Sequence, residues 1–241
     1  MDDITEKLAD AALAVPEILL PSKTIELAKW PVVACDQFTQ ERSFWDECAA
    51  GVGDAPSALH LVLPEVYLED ADCAARIAAI RRNMARYLQH GDGDVFDWPR
   101  NAGVFVERET RHGVRRGLVI AVDLEKYDWR GGSTSMIRAS EDTIQERLPP
   151  RMEIRRGAPL EIPHVILLIN DEENMLFSLL EKLMRGAPYT YNIDLCAGAG
   201  NVKGRLVCRK TDWNFIAGYF THAYRQACTA YGKERAFLFA V

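Results

Sequence analysis

The chain has 241 residues, which is enough for one large domain or two small ones with a substantial core. Its formal net charge of -6 argues against a nucleic-acid partner held by a basic surface, whereas a local arginine cluster still suits a small anion. No stretch reaches the roughly 20 apolar residues that span a bilayer, and the first residues lack the basic and apolar runs of a signal peptide. We therefore expect a globular protein without a membrane partner.

The six cysteines are widely separated and include no Cys-x-x-Cys pair. Each lies among apolar neighbours, and free cysteine is among the most buried residue types. Disulfides are rare in reducing compartments, so the pattern predicts buried free thiols in a cytoplasmic protein. The cysteines are Cys35, Cys48, Cys73, Cys196, Cys208 and Cys228.

Hydrophobic periodicity predicts a mixed α/β (α+β) fold, with a mixed, largely antiparallel sheet flanked by about three long helices. Residues 1–14 are expected to form an N-terminal arm with a short helix, and residues 15–241 a single α/β domain. Apolar residues repeating every three or four positions predict helices at 40–50, 70–90, 172–184 and 211–231. Short apolar runs predict strands at 31–35, 59–64, 103–108, 116–122, 164–169, 189–195, 205–208 and 236–241.

Two of the strand connections contain glycine and are predicted to be hairpin turns. His112-Gly113 joins the strands at 103–108 and 116–122. Residues 196–204 (CAGAGNVKG) resemble a dinucleotide-binding pattern only superficially, because the glycine spacing differs and a strand follows where that pattern needs a helix. The second connection is therefore interpreted as a glycine-rich hairpin tip.

Asp36 follows the apolar run at 31–35, and two interpretations of this residue remain open. Polar side chains at the end of a buried strand commonly contact ligands in α/β proteins. Alternatively, Asp36 caps the helix that begins near Glu41, since an Asp side chain accepts hydrogen bonds from backbone N–H groups.

The most informative stretch is Arg138–Arg151, which combines three arginines, three acids, two hydroxyls and a Pro-Pro pair. Ser140 is expected to cap a helix of about two turns, which Pro149 ends. The loop at 127–135 (YDWRGGSTS) runs towards this helix start and offers backbone N–H groups and hydroxyls to an anion, although it does not match a P-loop.

Arginine side chains bind phosphate or carboxylate with two parallel hydrogen bonds, which favours an anion site here. Glu146 and Asp36 are the candidate catalytic carboxylates, as a general base or as a ligand of Mg²⁺. The alternative is an ion-pair network that only holds the short helix against the sheet. The candidate ligand-binding residues are Arg138, Ser140, Glu141, Thr143, Arg147 and Arg151.

Several motifs in order resemble a bacterial and archaeal family known as domain of unknown function 1015. They lie at 15–21 (VPEILLP), 33–37 (VACDQ), 52–57 (VGDAPS), 63–68 (LPEVYL), 138–151 and 158–165 (APLEIPHV), so the resemblance covers about residues 15–241. One departure is the sequence RASED at 138–142, where the family tends to have RATEG. Asp142 therefore adds charge where glycine would leave room for an anion.

The resemblance implies more than the residues do. Family chains continue into an Asp-Gly-Asn/His-His type motif, which is similar to a corner of the ParB/sulfiredoxin-like fold, and that fold includes kinases acting on free serine. A distant element of this kind is expected at the C-terminal end. The implied function is a phosphotransferase for an amino acid or phospho-metabolite linked to serine metabolism, with Mg²⁺ and a nucleotide as cofactors. The alternative is a non-catalytic domain that binds an anionic metabolite or a partner, and a homo-oligomer is left open.

Overall fold

The computed structural model describes residues 2–89, 95–142 and 144–241. Within these residues the chain folds into a mixture of α-helices and short sheets, which confirms the predicted fold class. No described helix has the length and apolar content needed to cross a bilayer. The helices are α1 (Asp2–Ala9), α2 (Arg42–Val52), α3 (Cys73–Leu88), α4 (Leu148–Arg155), α5 (Met175–Leu183) and α6 (Lys210–Tyr231).

The strands pair mostly in the antiparallel sense, as predicted, but they are divided among several sheets. The largest sheets have the orders β10-β11-β4-β5 and β7-β8-β12-β9, and the pairs β1-β6 and β2-β3 stand apart from them. The strands are β1 (Leu13–Ala14), β2 (Leu20–Pro21), β3 (Phe96–Asp97), β4 (Gly103–Thr110), β5 (Gly113–Val119), β6 (Ala121–Val122), β7 (Tyr127–Asp128), β8 (Ile137–Arg138), β9 (Leu168–Ile169), β10 (Tyr191–Asp194), β11 (Asn201–Val207) and β12 (Phe239–Ala240).

The sheet β10-β11-β4-β5 is fully antiparallel and contains both predicted hairpins. Tyr191 lies directly opposite Gly204 in the register of β10 and β11. A side chain at Gly204 would overlap the Tyr191 ring, so glycine is required where the aromatic ring crosses the neighbouring strand. The Tyr191 ring can therefore lie flat over the strand.

The sheet β7-β8-β12-β9 is mixed, because β8 pairs in parallel with β7 and β12 while β9 pairs antiparallel to β12. It is built from strands of two residues each. The predicted strand at 164–169 is thereby reduced to its last two residues, and Val165 and Ile166 are exposed.

Buried apolar side chains form two clusters. The first lies between α1, α5, α6 and the sheets, and includes the fully buried Phe105, Trp213 and Phe220. The second lies around α2 and α3 and includes Trp45 and Met84. The predicted helices α2, α3, α5 and α6 thus bury the apolar faces that their sequences displayed.

Two predicted strands are wrong. Residues 31–35 run as irregular chain, and Ala58–Leu61 forms a 3-10 turn that Ser57 caps with its side chain. Both segments pack against the second cluster, through Val33 and Leu61. Their side chains are apolar because irregular chain is buried beside helices. A short apolar run in the sequence looks the same in such a segment as in a buried strand.

The predicted helix with Ser140 at its start and Pro149 at its end is also wrong. A 3-10 turn at Gln145–Arg147 leads into α4, and Pro149 and Pro150 lie in the first turn of that helix. Proline is tolerated there because the first N–H groups of a helix have no partner within it. The Pro-Pro pair therefore begins the helix that carries the arginines.

The expectation of free cysteines is wrong for one pair. Cys48 in α2 and Cys196 in the glycine-rich hairpin tip form a disulfide that joins parts of the chain 148 residues apart. Both side chains belong to the second apolar cluster, so burial of each was anticipated but their proximity was not. The other four cysteines are free as predicted, but their predicted burial is wrong, because Cys208 is exposed and the remaining three are partly exposed.

Candidate functional site

Glu65 is a buried carboxylate at the start of a 3-10 turn. Pro64 precedes this turn, which spans Glu65–Tyr67, and the Glu65 N–H donates to the carbonyl of Cys35 at 2.8 Å. The Glu65 side chain is only 5% exposed. An ionised carboxylate this deeply buried needs charged partners to offset its loss of hydration.

Two arginines of the Arg138–Arg151 stretch supply those partners. Arg147 and Arg151 are four residues apart at the start of α4, so their side chains lie on one face of the helix. An Arg147 Nη atom lies 2.9 Å from one Glu65 oxygen, and an Arg151 Nη atom lies 2.5 Å from the other. The whole side chains of Arg147 and Arg151 remain 41% and 42% exposed. One carboxylate thus holds two cations, which leaves a net positive charge and solvent-accessible donors.

Cys35 lies beside this cluster. Burial raises the pKa of its thiol, and the negative charges of Asp36 and Glu65 raise it further, while the Arg151 guanidinium lowers it. At neutral pH the thiol is therefore protonated and neutral. Asp36 follows Cys35 directly in the chain, and its side chain is exposed.

Cys35 also lines a cavity of 820 Å³. Its walls come from residues 17–21, 30–35, 95–98 and 159–164, and from strands β10 and β11. The volume is within the roughly 300–1,000 Å³ that is typical of small-molecule sites. Cys35 thus lines the cavity and its carbonyl accepts from the Glu65 N–H, whereas Glu65, Arg147 and Arg151 do not themselves line the cavity.

Arg155, the last residue of α4, supports one cavity wall. An Arg155 Nη atom lies 2.7 Å from Glu161, and the same guanidinium donates to the Pro163 carbonyl at 2.8 Å. Arg155 follows Arg151 by four residues, so three arginines form one stripe along the helix. Helix α4 thus supports both the charged cluster and the 159–164 wall.

Arg138, the first predicted anion ligand, lies elsewhere, in β8. Its guanidinium donates to the carbonyls of Ser135 at 3.1 Å and of Glu234 and Ala236 at 2.9 Å each. It also lies over the Phe237 ring. These contacts hold the chain that leads into β12. The N–H groups of Arg138 that make them are bonded to backbone carbonyls and not directed at an anion site.

The other predicted residues are spread along the surface. Ser140 bonds to the Val241 carbonyl through both its N–H, at 2.7 Å, and its hydroxyl, at 3.1 Å. Glu141 and Glu146 are exposed, and Thr143 lies outside the described residues. Of the eight predicted positions, the structure brings Arg147 and Arg151 together on Glu65, and Asp36 lies next to Cys35, whose carbonyl accepts from the Glu65 N–H.

Acidic, histidine and cysteine side chains are not grouped for metal binding. Among residues 2–89, 95–142 and 144–241, no cluster of three or more such side chains has the geometry to hold a metal ion. Mg²⁺ commonly takes one or two carboxylates and completes its shell with water and substrate oxygens. A single carboxylate such as that of Asp36 fits this mode but not a site built of protein ligands alone.

Sequence reasoning missed Glu65, Cys35 and the cavity. Glu65 and Cys35 do lie in motifs that carry the family resemblance, at 63–68 and 33–37. Their order along the chain gave no indication that they meet Arg151, which follows Glu65 by 86 residues. Only the folded structure brings these motifs together.

Comparison with known families agrees with the resemblance found from the motifs. A family model described as "Protein of unknown function (DUF1015)" matches residues 19–222. No match is found among curated proteins or among solved structures. Because the matched region covers most of the 241 residues, the chain belongs to this family of unknown function.

Proposed function

We propose that this protein binds a small anionic metabolite, with the phosphate or carboxylate held between Arg147 and Arg151. The observation that carries the proposal is that two partly exposed arginine side chains share one buried carboxylate. Glu65 fixes both arginines in position without neutralising them fully. Preorganised arginines with free donors are suited to bidentate recognition of oxyanions.

Calorimetric titration with inorganic phosphate, phosphoserine and serine tests this site. Phosphate and phosphoserine are expected to bind, and Arg151→Gln should weaken both by about tenfold, the equivalent of one charge-assisted hydrogen bond. Arg82→Gln is the matched control, because Arg82 is an exposed arginine on α3 outside the cluster. Equal affinities in the two variants would refute the assignment.

Glu65→Gln provides a test of opposite sign. Glutamine keeps an oxygen that can accept from an arginine, but it removes the negative charge that competes with the phosphate, so phosphate should bind more tightly to this variant. A variant that was merely damaged would bind less tightly. Circular dichroism of each variant separates a change at the site from a loss of fold.

The exposed carboxylate of Asp36, which follows Cys35, favours a more specific version of this function. In that version the protein is a phosphotransferase acting on an amino acid or phospho-metabolite, as the serine kinases in the resemblance suggest. Asp36 would accept the proton of the attacking hydroxyl, and a bound Mg²⁺–nucleotide would supply the phosphoryl group. Glu146, exposed in the 3-10 turn next to Arg147, is the second candidate carboxylate.

Incubation with ATP, MgCl₂ and serine, followed by phosphorus NMR, tests the transferase version. A new phosphomonoester signal that disappears in Asp36→Asn, with phosphate affinity retained, is the expected result. Tight phosphoserine binding with no turnover would leave the non-catalytic metabolite-binding function in its place.

A further inference from the structure

Aromatic side chains are concentrated in the cavity that Cys35 lines. Trp30, Tyr87, Phe96 and Trp98 all line it. The Trp30 and Phe96 rings meet edge to face with centroids 5.7 Å apart, and Tyr87 lies 6.4 Å from Phe96. Three of the rings therefore form one continuous aromatic wall.

Trp98 differs from the other three rings because core packing does not account for its position. It is 47% exposed while lining the concave surface, and the Arg100 guanidinium stacks over its ring at 4.1 Å. An indole held by a cation on an accessible cavity wall keeps a defined orientation. Such a ring is suited to stacking on a planar ligand.

Two further lining residues, Tyr191 and Cys35, offer groups that can orient a ligand. Tyr191 reaches the cavity from β10, and burial raises the pKa of its hydroxyl to about 12, so the phenol stays protonated at neutral pH. The Cys35 thiol is likewise protonated. Both groups are neutral hydrogen-bond donors, which avoids repulsion of an anionic ligand by a thiolate or phenolate.

From these observations we infer the class of ligand: a planar aromatic ring joined by a short link to a phosphate or carboxylate. The ring would lie against the aromatic wall and Trp98, while the anion would reach Arg151 past Cys35. This inference rests on the proposed function, since it adds a ring site to the anion site at Arg147 and Arg151. The cavity of 820 Å³ has room for a monocyclic or a bicyclic ring system.

Matched pairs of ligands test the ring site separately from the anion site. Phenyl phosphate is compared with propyl phosphate, and AMP with ribose 5-phosphate, so that each pair shares a phosphate and differs in the aromatic ring. Binding is followed by calorimetry and by quenching of tryptophan fluorescence. The aromatic member of at least one pair should bind about tenfold or more tightly, because ring burial and stacking add to the phosphate contacts.

Single-residue variants test whether the affinity difference between aromatic and non-aromatic phosphates arises at Trp98. Trp98→Leu should remove most of the aromatic advantage and leave the affinity for inorganic phosphate unchanged. Trp129→Leu is the control, because Trp129 is a more exposed tryptophan, at 73%, outside the cavity lining. The aromatic phosphate should also slow alkylation of Cys35, but not of the exposed Cys208, as measured by mass spectrometry.

The outcomes distinguish the two levels of the proposal. If both members of each pair bind equally and depend on Arg151, the ring site is refuted while the anion site stands. If adenosine binds as tightly as AMP, the phosphate contributes nothing, and both the joined ligand and the anion site are refuted. A Trp98→Leu variant that retains the full aromatic advantage would also overturn the inference.

Discussion

The charged cluster makes a quantitative prediction about stability. Changing both Arg147 and Arg151 to glutamine leaves the Glu65 carboxylate, with its side chain 5% exposed, without either cationic partner. Breaking a buried ion pair by removing one side typically costs about 3–5 kcal/mol, because an uncompensated charge stays buried. The arginines are about two-fifths exposed, so water can approach the carboxylate once they are shortened. We therefore expect a cost near the lower limit, about 3 kcal/mol.

The single and triple variants sharpen this prediction. Arg151→Gln alone should cost about 1–2 kcal/mol, because Arg147 still holds Glu65 at 2.9 Å. Adding Glu65→Gln to the double variant removes the buried charge, so the triple variant should recover most of the loss. Recovery on adding a third substitution is the signature of an unpaired charge.

Urea unfolding at pH 7, followed by tryptophan fluorescence, measures these differences. Arg82→Gln serves as the control for loss of a surface arginine. A double variant within about 0.5 kcal/mol of the parent, which is the range of ordinary surface substitutions, would refute the reasoning. A triple variant less stable than the double one would refute it as well.

Three further predictions concern other parts of the fold. Reducing the disulfide between α2 and the hairpin tip, which closes a loop of 148 residues, should lower the free energy of unfolding by about 3–5 kcal/mol in urea with dithiothreitol; an unchanged midpoint would contradict this. Burial and the nearby Arg86 lower the pKa of His60, so the unfolded chain binds more protons and stability should fall as the pH drops below 6.5, whereas His60→Gln should flatten that dependence. Gly204→Ala should destabilise by about 1–3 kcal/mol through overlap with Tyr191, and Gly117→Ala, in open space on β5, should cost less in the same urea assay.

The long helices could be predicted from the sequence because their apolar periodicity is local. Helix α3, for example, buries Ile77, Ile80 and Met84, which repeat at three and four residues. Strand prediction succeeded for β4 and β5, where a glycine turn separates two long runs, and failed for residues 31–35 and 59–64. A short apolar run indicates only that a segment is buried. Irregular chain packed beside α2 and α3 is buried as well, so it was mistaken for a strand.

The candidate site shows a second limit of sequence reasoning. The four-residue spacing of Arg147 and Arg151 predicts a shared helix face, but it does not identify the carboxylate they contact. Glu65 lies far upstream, and the carbonyls that occupy Arg138 lie nearly 100 residues downstream. The proline pair was misinterpreted for a different reason. Proline occurs both in the first turn of a helix and just after its end, and the local sequence does not decide between these positions.

The arginine stripe of α4 has a mechanical consequence. Arg147 and Arg151 form ion pairs with Glu65 at the start of the helix. Arg155 contacts Glu161 and the Pro163 carbonyl at its end, so this short helix is held at both ends. A ligand that moved Arg147 and Arg151 away from Glu65 would therefore also shift the helix that supports the 159–164 wall. Binding of an anion at the arginine pair would thereby change the width of the apolar cavity at residues 159–164.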